Sequence, residues 1–303
     1  MGETLKNLAT RFARKQPQQV DQLTEEAPIL GVIPFEPASH DLWNMYEDVE
    51  DITGAGWVEM NAPLPELELS STLKKVDLAI LGGEIECPED TANLFGGKEA
   101  YFSKKLPKII RKSGMSAEQR IIYDNFRAFA VQNKKAFSAG GTGLGNSILA
   151  VRFVSGETCG LYGPQCFNQG TLLNTQSLNG GDLYKSTNPA RNGVLVYGLR
   201  LKSYLGIQIG NKNSVSALVN ITASSIPTAT MIDDMLAEVR ATPGSTYLFM
   251  HEKTRNMLCK YKADSLHISS GSKDVDRMIT HWNGIEIVTS YNFLDNAEKA
   301  VTL

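Results

Sequence analysis

The stretch DVEDITGAGWVEMNAPLPELEL, residues 48–69, joins a turn-forming centre to acidic flanks. Gly54 and Gly56 favour a tight turn, Pro63 and Pro65 stiffen the returning chain, and Trp57 lies near the apex. The flanking segments HDLWNMYEDVE and LELSSTLKKVDLAIL alternate in the manner of β-strands. This pattern predicts a long two-stranded ribbon with an apex rich in glycine and proline.

A ribbon of this length calls for a partner. An arm of about 15 residues spans about 50 Å, whereas a compact chain of this size has a radius of gyration of about 19 Å. An isolated two-stranded ribbon is barely stable in water, and an exposed Trp57 at its tip is a liability. Between residues 36 and 85, eleven acids face only Lys74 and Lys75, so the partner surface should be basic.

The basic surface follows directly in the chain. Residues 91–135 show helical spacing of apolar residues and carry ten Lys and Arg residues against three acids. Pro107 predicts a kink, and Gly114 predicts an interruption followed by a second helix capped by Ser116 and Gln119. We expect the ribbon of one copy to lie on this helix of another copy, with apolar burial near Trp57. An acidic hairpin folded back on its own helix is the alternative.

The other segments are predicted more briefly. Residues 1–26 form a short basic amphipathic arm, and APILGVIPF (27–35) is expected to be extended because of its prolines. Residues 139–222 are expected to form β-structure. Four strands are predicted there, SILAVRFV, NGVLVYGLRL, SYLGIQI and VSALVNI. The remainder predicts helix TATMIDDMLAEVRA, strand TYLFM, helix EKTRNMLCKYKA and a last strand GIEIVTSYNF.

The serial order of these segments resembles the major capsid proteins of tailed bacteriophages, whose fold is that of Hong Kong ninety-seven phage (the Johnson fold). SAGGTGLGNSILAVRFVSGETCGLYGP (138–164), residues 180–221 and PGSTYLFMHEKTRNML (243–258) look like a podophage-type subfamily. The resemblance implies an α+β fold. Its expected parts are an N-arm (1–35), an E-loop (36–85), a P domain (86–222) with a spine helix (91–135), an A domain (223–285) and a C-terminal return to the P domain (286–303).

The resemblance also implies a function. The chain is expected to assemble with itself into hexamers and pentamers of an icosahedral head shell around double-stranded DNA, in a virion built in the bacterial cytoplasm. Scaffold, portal and decoration proteins are further expected partners. The candidate contact residues follow from the ribbon, the basic helix and the basic arm. They are Arg11, Arg14, Gly54, Trp57, Glu59, Lys104, Lys105, Lys108 and Arg111.

Other chemistry has little support in the sequence. The net charge of −3 provides no global attraction to nucleic acid or anionic membrane. The four cysteines and four histidines show no metal-ligand spacing, GGTGLGN (140–146) lacks the ending of a phosphate loop, and no GxSxG elbow occurs. We therefore expect no catalytic residue, no cofactor, no metal and no membrane contact. An encapsulin-like non-viral shell and a soluble α/β enzyme are the rival interpretations.

Overall fold

A computed structural model of the chain describes residues 2–11, 15–53, 57–60, 63, 68–164, 172–265 and 279–303. Helices and strands are both present, as predicted. The helices are α1 (Leu5–Ala9), α2 (Lys15–Thr24), α3 (Pro28–Val32), α4 (Glu89–Leu94), α5 (Lys98–Arg120), α6 (Ala128–Gln132), α7 (Ala229–Glu238) and α8 (Glu252–Ser265). A π-helical segment, Ile121–Arg127, joins α5 to α6.

Within the described ranges, the strands form three sheets, of seven, six and two strands. Their bounds are β1 (Glu3–Thr4), β2 (Pro34–Pro37), β3 (Trp43–Thr53), β4 (Glu68–Asp77), β5 (Ala79–Pro88), β6 (Ala136–Ser138), β7 (Asn146–Arg152), β8 (Thr158–Tyr162), β9 (Asn174–Ser177), β10 (Tyr184–Lys185), β11 (Leu195–Ile209), β12 (Val215–Ile221), β13 (Thr246–Met250), β14 (His281–Trp282) and β15 (Ile285–Thr289). The two-stranded sheet is β3 with β4, so the predicted ribbon is confirmed.

Strand β11 organises the seven-stranded sheet. It pairs antiparallel with β5 from Val196 opposite Pro88 to Leu205 opposite Ala79, and its other side pairs with β8, β9 and β10. The prediction of two strands, NGVLVYGLRL and SYLGIQI, was wrong, because β11 runs through both. The long partner β5 supplies backbone hydrogen bonds past the polar Lys202 and Ser203, where the sequence suggested a break.

The six-stranded sheet has the order β14-β15-β13-β7-β12-β6. Strands β7 and β12 are buried almost throughout, which is typical of central strands covered on both faces. The sheet takes β7 and β12 from before residue 222 and β13, β14 and β15 from after it. The strands of the predicted P and A domains are thus hydrogen-bonded together here, and the division into domains stays a prediction.

Helix α5 runs without interruption through Pro107 and Gly114, so the predicted break and the second helix starting at Ser116 were wrong. Gly114 has a packing role instead. A Cβ at this position would lie 2.1 Å from the backbone oxygen of Leu23, so only glycine lets α2 approach α5 so closely. The main core lies along this contact and contains Ile110, Ile122 and Phe126.

The N-terminal region packs on the rest of the chain. Leu5, Leu8, Val20 and Leu23 are buried in the main core. Residues 28–32 form helix α3 rather than the expected extended segment, which begins only at Pro34. The physical reason is that Pro28 occupies the first turn of the helix, where the missing N–H costs nothing and its fixed φ favours helix.

Candidate subunit-contact surfaces

The ribbon of β3 and β4 is fixed to the body at its root. Asn44 Nδ2 donates a hydrogen bond to Gln208 Oε1 over 2.6 Å, and the Tyr46 hydroxyl donates to the Ile209 carbonyl over 3.4 Å. The backbone N–H and the hydroxyl of Ser39 both donate to Asn44 Oδ1. The strands pair from Trp43 opposite Asp77 to Thr53 opposite Glu68, with a bulge between Val49 and Asp51. The root therefore sets the direction in which the ribbon leaves the body.

The middle and the far end of the ribbon present large apolar side chains to solvent. Trp57 has a relative exposure of 106%, Met60 of 93% and Leu73 of 69%. Glu59, between the first two, is also exposed. Gly54 lies outside the described residues. Side chains of this size concentrated in one projecting segment indicate a surface that another molecule covers.

Part of the acidic charge of the ribbon is compensated within it. Asp48 forms an ion pair with Lys74, and the Lys75 ammonium lies 2.9 Å from Asp77. The Ser71 hydroxyl donates to Glu47. The ribbon therefore offers less free negative charge at its root than its composition indicates, and the exposed Glu59 belongs to its far end.

The basic helix is compensated in a similar way. Arg111 lies 2.7 Å from Glu25, and Arg127 lies 3.6 Å from Glu298. Lys135 pairs with Glu238. Arg111 is thus engaged within its own chain, and its role as a contact residue stays a prediction. Arg11 pairs with Glu3, and Arg14 lies outside the described residues.

Three lysines of α5 remain exposed without an ion pair in the described parts of the chain: Lys104, Lys108 and Lys112. They recur every four residues, so they form one ridge along the helix. We call them the lysine ridge. Lys104 also lies over the Phe95 ring at 5.4 Å, and the half-buried Lys105 lies over Tyr101 at 5.9 Å. The lysine ridge is a cationic surface suited to an acidic partner.

Sequence reasoning missed a buried carboxyl that ties the chain together. Glu118 on α5 is buried and accepts four hydrogen bonds, from the backbone N–H groups of Ile29 (2.9 Å) and Leu30 (3.2 Å), from Asn292 Nδ2 (3.0 Å) and from the Ser290 hydroxyl. Burial raises the pKa of Glu118, and the four donors oppose that rise. A signal was present in the sequence, because Glu118 shares the four-residue spacing of the buried Ile110, Gly114 and Ile122.

A second buried carboxyl, Glu298, holds the C-terminal segment. It accepts hydrogen bonds from the hydroxyls of Tyr123 at 2.7 Å and Ser147 at 3.0 Å. Burial raises the pKa of Glu298, and its contacts with Tyr123, Arg127 and Ser147 oppose the rise. Glu118 and Glu298 therefore attach residues 290–298 to α5, to the π-helical segment and to β7.

The glycine-rich segment 140–146 and two of the histidines, which could suggest catalysis, take part in packing and hydrogen bonding within the fold. In GGTGLGN, a Cβ on Gly141 or Gly145 would lie 2.5 Å from a backbone oxygen of β12, so the glycines permit close packing. His40 stacks on Trp43, and His251 accepts a hydrogen bond from the backbone N–H of Lys253. Burial lowers the pKa of His251. The described residues contain no group of three side chains that could hold a metal ion.

No helix in the described ranges is both long enough and apolar enough to cross a membrane.

Neither a family model nor a curated protein matches the sequence. Among solved structures, a chain from a cryo-EM structure of bacteriophage Epsilon15 is similar with a TM-score of 0.56 and 14% identity, over 89% of this chain and 88% of that chain. The chain has the Hong Kong ninety-seven type of phage capsid fold.

Two further structures have lower scores. The capsid of bacteriophage JBD30 is similar with a TM-score of 0.47 and 9% identity, over 89% of this chain and 92% of that one. An encapsulin complex from Synechococcus elongatus PCC 7942 is similar with a TM-score of 0.46 and 10% identity, over 67% and 90%. The Epsilon15 likeness, at 14% identity, establishes the phage capsid fold and nothing finer.

Proposed function

We propose that the chain is the major capsid protein of a tailed bacteriophage, a shell subunit that assembles with itself into hexamers and pentamers around double-stranded DNA. The observation that carries the proposal is the ribbon with a bare tip, in a chain of the phage capsid fold. A two-stranded ribbon alone is marginally stable in water, and a fully exposed Trp57 on it supports a partner surface that covers the tip. A shell supplies that surface in every subunit.

Self-assembly explains the charge pattern without a second kind of molecule. The ribbon tip carries Glu59, and α5 carries the lysine ridge, so one copy offers both halves of a heterologous contact. A heterologous contact that closes produces rings, and the same contact can serve rings of five and six. The chain has a net charge of −3 and therefore no global attraction to nucleic acid. The shell would enclose DNA without sequence-specific binding. Scaffold, portal and decoration proteins, assembly in the host cytoplasm and a non-enzymatic role belong to the same proposal.

Assembly is the direct test. We expect the chain, expressed together with the head genes that neighbour its own, to give closed particles by electron microscopy and sedimentation, with nuclease-protected double-stranded DNA inside. Particles that enclose a protein cargo and no DNA would favour an encapsulin-like shell. A chain that stays monomeric in the same cells would contradict the proposal.

The tip is tested by Trp57→Ala. Because Trp57 makes no contribution to the core, the variant should unfold at the wild-type temperature yet give few stable particles. Leu144→Ala is the matched control, since Leu144 is also an exposed apolar residue, at 59%, in a loop far from the ribbon in sequence. Equal particle yields from the two variants would remove the role of Trp57.

A further inference from the structure

A groove lies where α5 ends beside the seven-stranded sheet. Its helical wall contains Ala117, Arg120 and Ile121, and its sheet wall contains Ile80 and Leu205. The groove encloses about 260 Å³ and is mainly apolar, with Arg120 and Asp77 as its charged members. Ile80 has a relative exposure of 57%, so apolar surface stays open to water on one wall. The groove therefore offers a site for an apolar group, with one cationic and one anionic side chain at its lining.

The size of the groove suits one large side chain. Sites for drug-sized ligands enclose about 300–1,000 Å³, and this groove falls just below that range. A buried tryptophan removes roughly 150–250 Å² from water and brings an indole N–H that needs a polar partner. Trp57 is fully exposed, and Asp77, whose carboxylate also lies 2.9 Å from the Lys75 ammonium, is among the residues that line the groove. The chain thus carries both an uncovered indole and a cavity of matching character.

A chain cannot fill its own groove with its own Trp57. Asp77 is at the ribbon root, opposite Trp43, whereas Thr53 opposite Glu68 marks the far end of the paired strands. At about 3.3 Å per residue, the paired strands separate the tip from the root by about 30 Å. The occupant must therefore come from another copy as long as β3 and β4 stay paired.

The charged residues beside the groove also favour Trp57 of a second copy as its occupant. The four-residue ridge that begins at Lys104 continues through Lys112 and Ser116 to Arg120, which lines the groove. Arg120 pairs with Asp124 at 3.5 Å, but both side chains are more than 60% exposed, so that pair is weak. Glu59 lies two residues after Trp57 and would approach Arg120 when the indole enters.

We propose that the groove between α5 and the sheet receives Trp57 of a second copy, with Glu59 beside Arg120. The inference rests on the proposed shell function and adds the site at which one subunit holds the next. The fold and the charge pattern alone predict only that the ribbon of one copy lies on α5 of another. The groove adds the position of the ribbon along that helix, because the tip would lie near Ala117.

Disulfide trapping tests the site. Particles are assembled from wild-type chain in excess, which supplies the stabilising contacts, with small equal amounts of two differently tagged single variants, Trp57→Cys and Ala117→Cys, and are then oxidised. We expect a covalent dimer that carries both tags. Ala117 is half-buried on the helix and small, so cysteine fits there, and Trp57 is fully exposed, so both variants should fold. Wild-type particles give the background from the native cysteines.

The matched control pairs Trp57→Cys with Leu144→Cys, an exposed position outside the groove. Particles that show no mixed dimer with Ala117→Cys, or equal amounts with both partners, would overturn the groove and leave the shell function intact. Failure of the wild-type chain to form any particle would overturn both. A second variant, Ala117→Phe, should fill the groove and reduce particle yield at least tenfold, whereas an unchanged yield would overturn the site.

Discussion

At the residue scale, single contacts decide how closely the elements approach. Gly114→Ala places a Cβ 2.1 Å from the Leu23 carbonyl oxygen. Alanine improves helix propensity by about 1 kcal/mol, but overpacking costs about 1–3 kcal/mol. We expect the free energy of unfolding in urea to fall by up to about 2 kcal/mol. Gly31→Ala in α3 is the control, because its Cβ would meet Thr24 at an ordinary 3.6 Å and cause no loss.

Glu118 gives a second prediction at this scale. In Glu118→Gln an amide N–H₂ would replace one carboxyl oxygen and face the two donors that bind that oxygen, so at least one buried donor loses its acceptor and stability falls by about 2 kcal/mol. Urea unfolding measures this loss. Glu286→Gln, at an exposed position of β15, should stay within about 0.5 kcal/mol of the wild type.

The pH dependence of that loss has a defined sign. Because burial raises the pKa of Glu118, the native state binds a proton more tightly than the unfolded chain. Wild-type stability from this group is therefore fully present below the ordinary pKa of 4.5 and is lost as the pH rises through the raised pKa. The deficit of Glu118→Gln should widen as the pH falls from 7 towards 4.5. The opposite slope would show that the four donors outweigh burial.

At the element scale, the N-terminal segment serves the fold. Leu5, Leu8, Val20 and Leu23 are fully or almost fully buried, and each such side chain stabilises the native state by about 1.5–3 kcal/mol. Deleting residues 1–24 removes a contribution comparable to the whole stability of about 5–15 kcal/mol. We expect the cooperative thermal transition, followed by circular dichroism, to be lost. Removal of the exposed residues 302–303 is the control and should leave that transition unchanged.

The elements also show what sequence patterns can predict. The ribbon was predictable because alternation and the Gly54–Gly56 turn are local signals that need no partner. Strand β13 was predictable because a short apolar run between breakers is typical of a buried strand. The interruption at Gly114 and the split of β11 were wrong because α2 and β5, distant in sequence, decide those positions. The local propensity of a segment does not depend on partners that are distant in sequence, so it could not predict these contacts.

The contact surfaces were predictable only in outline. Net charge located the basic helix, but Arg111 and Lys135 use their charge on Glu25 and Glu238 within the chain. Which cations remain exposed depends on the folded neighbours, so the lysine ridge could not be separated from the others beforehand. The groove near Ala117 was also invisible, because its walls come from β5, α5 and β11.

At the scale of the whole molecule, the lysine ridge should control association. We expect Lys104→Glu, Lys108→Glu and Lys112→Glu together to fold normally, since all three side chains are exposed. Particle yield in size-exclusion chromatography should fall sharply, because the ridge would then repel an acidic ribbon. The same reversal at the exposed Lys185, Lys212 and Lys299 changes the net charge equally and should preserve the yield. Equal losses of particle yield in the two triple variants would show that net charge, and not the lysine ridge, controls association.

The order in which the parts emerge during synthesis follows from the topology. The strands of the ribbon are separated by only 14 residues, whereas the groove is incomplete until Leu205, Gly206 and Ile207 have been made. A prematurely released fragment would therefore contain Trp57 but lack a complete groove. Such a fragment could bind at the edge of a growing shell but could not bind the next subunit. Premature termination in this region would therefore block assembly of the whole particle and not only remove one chain.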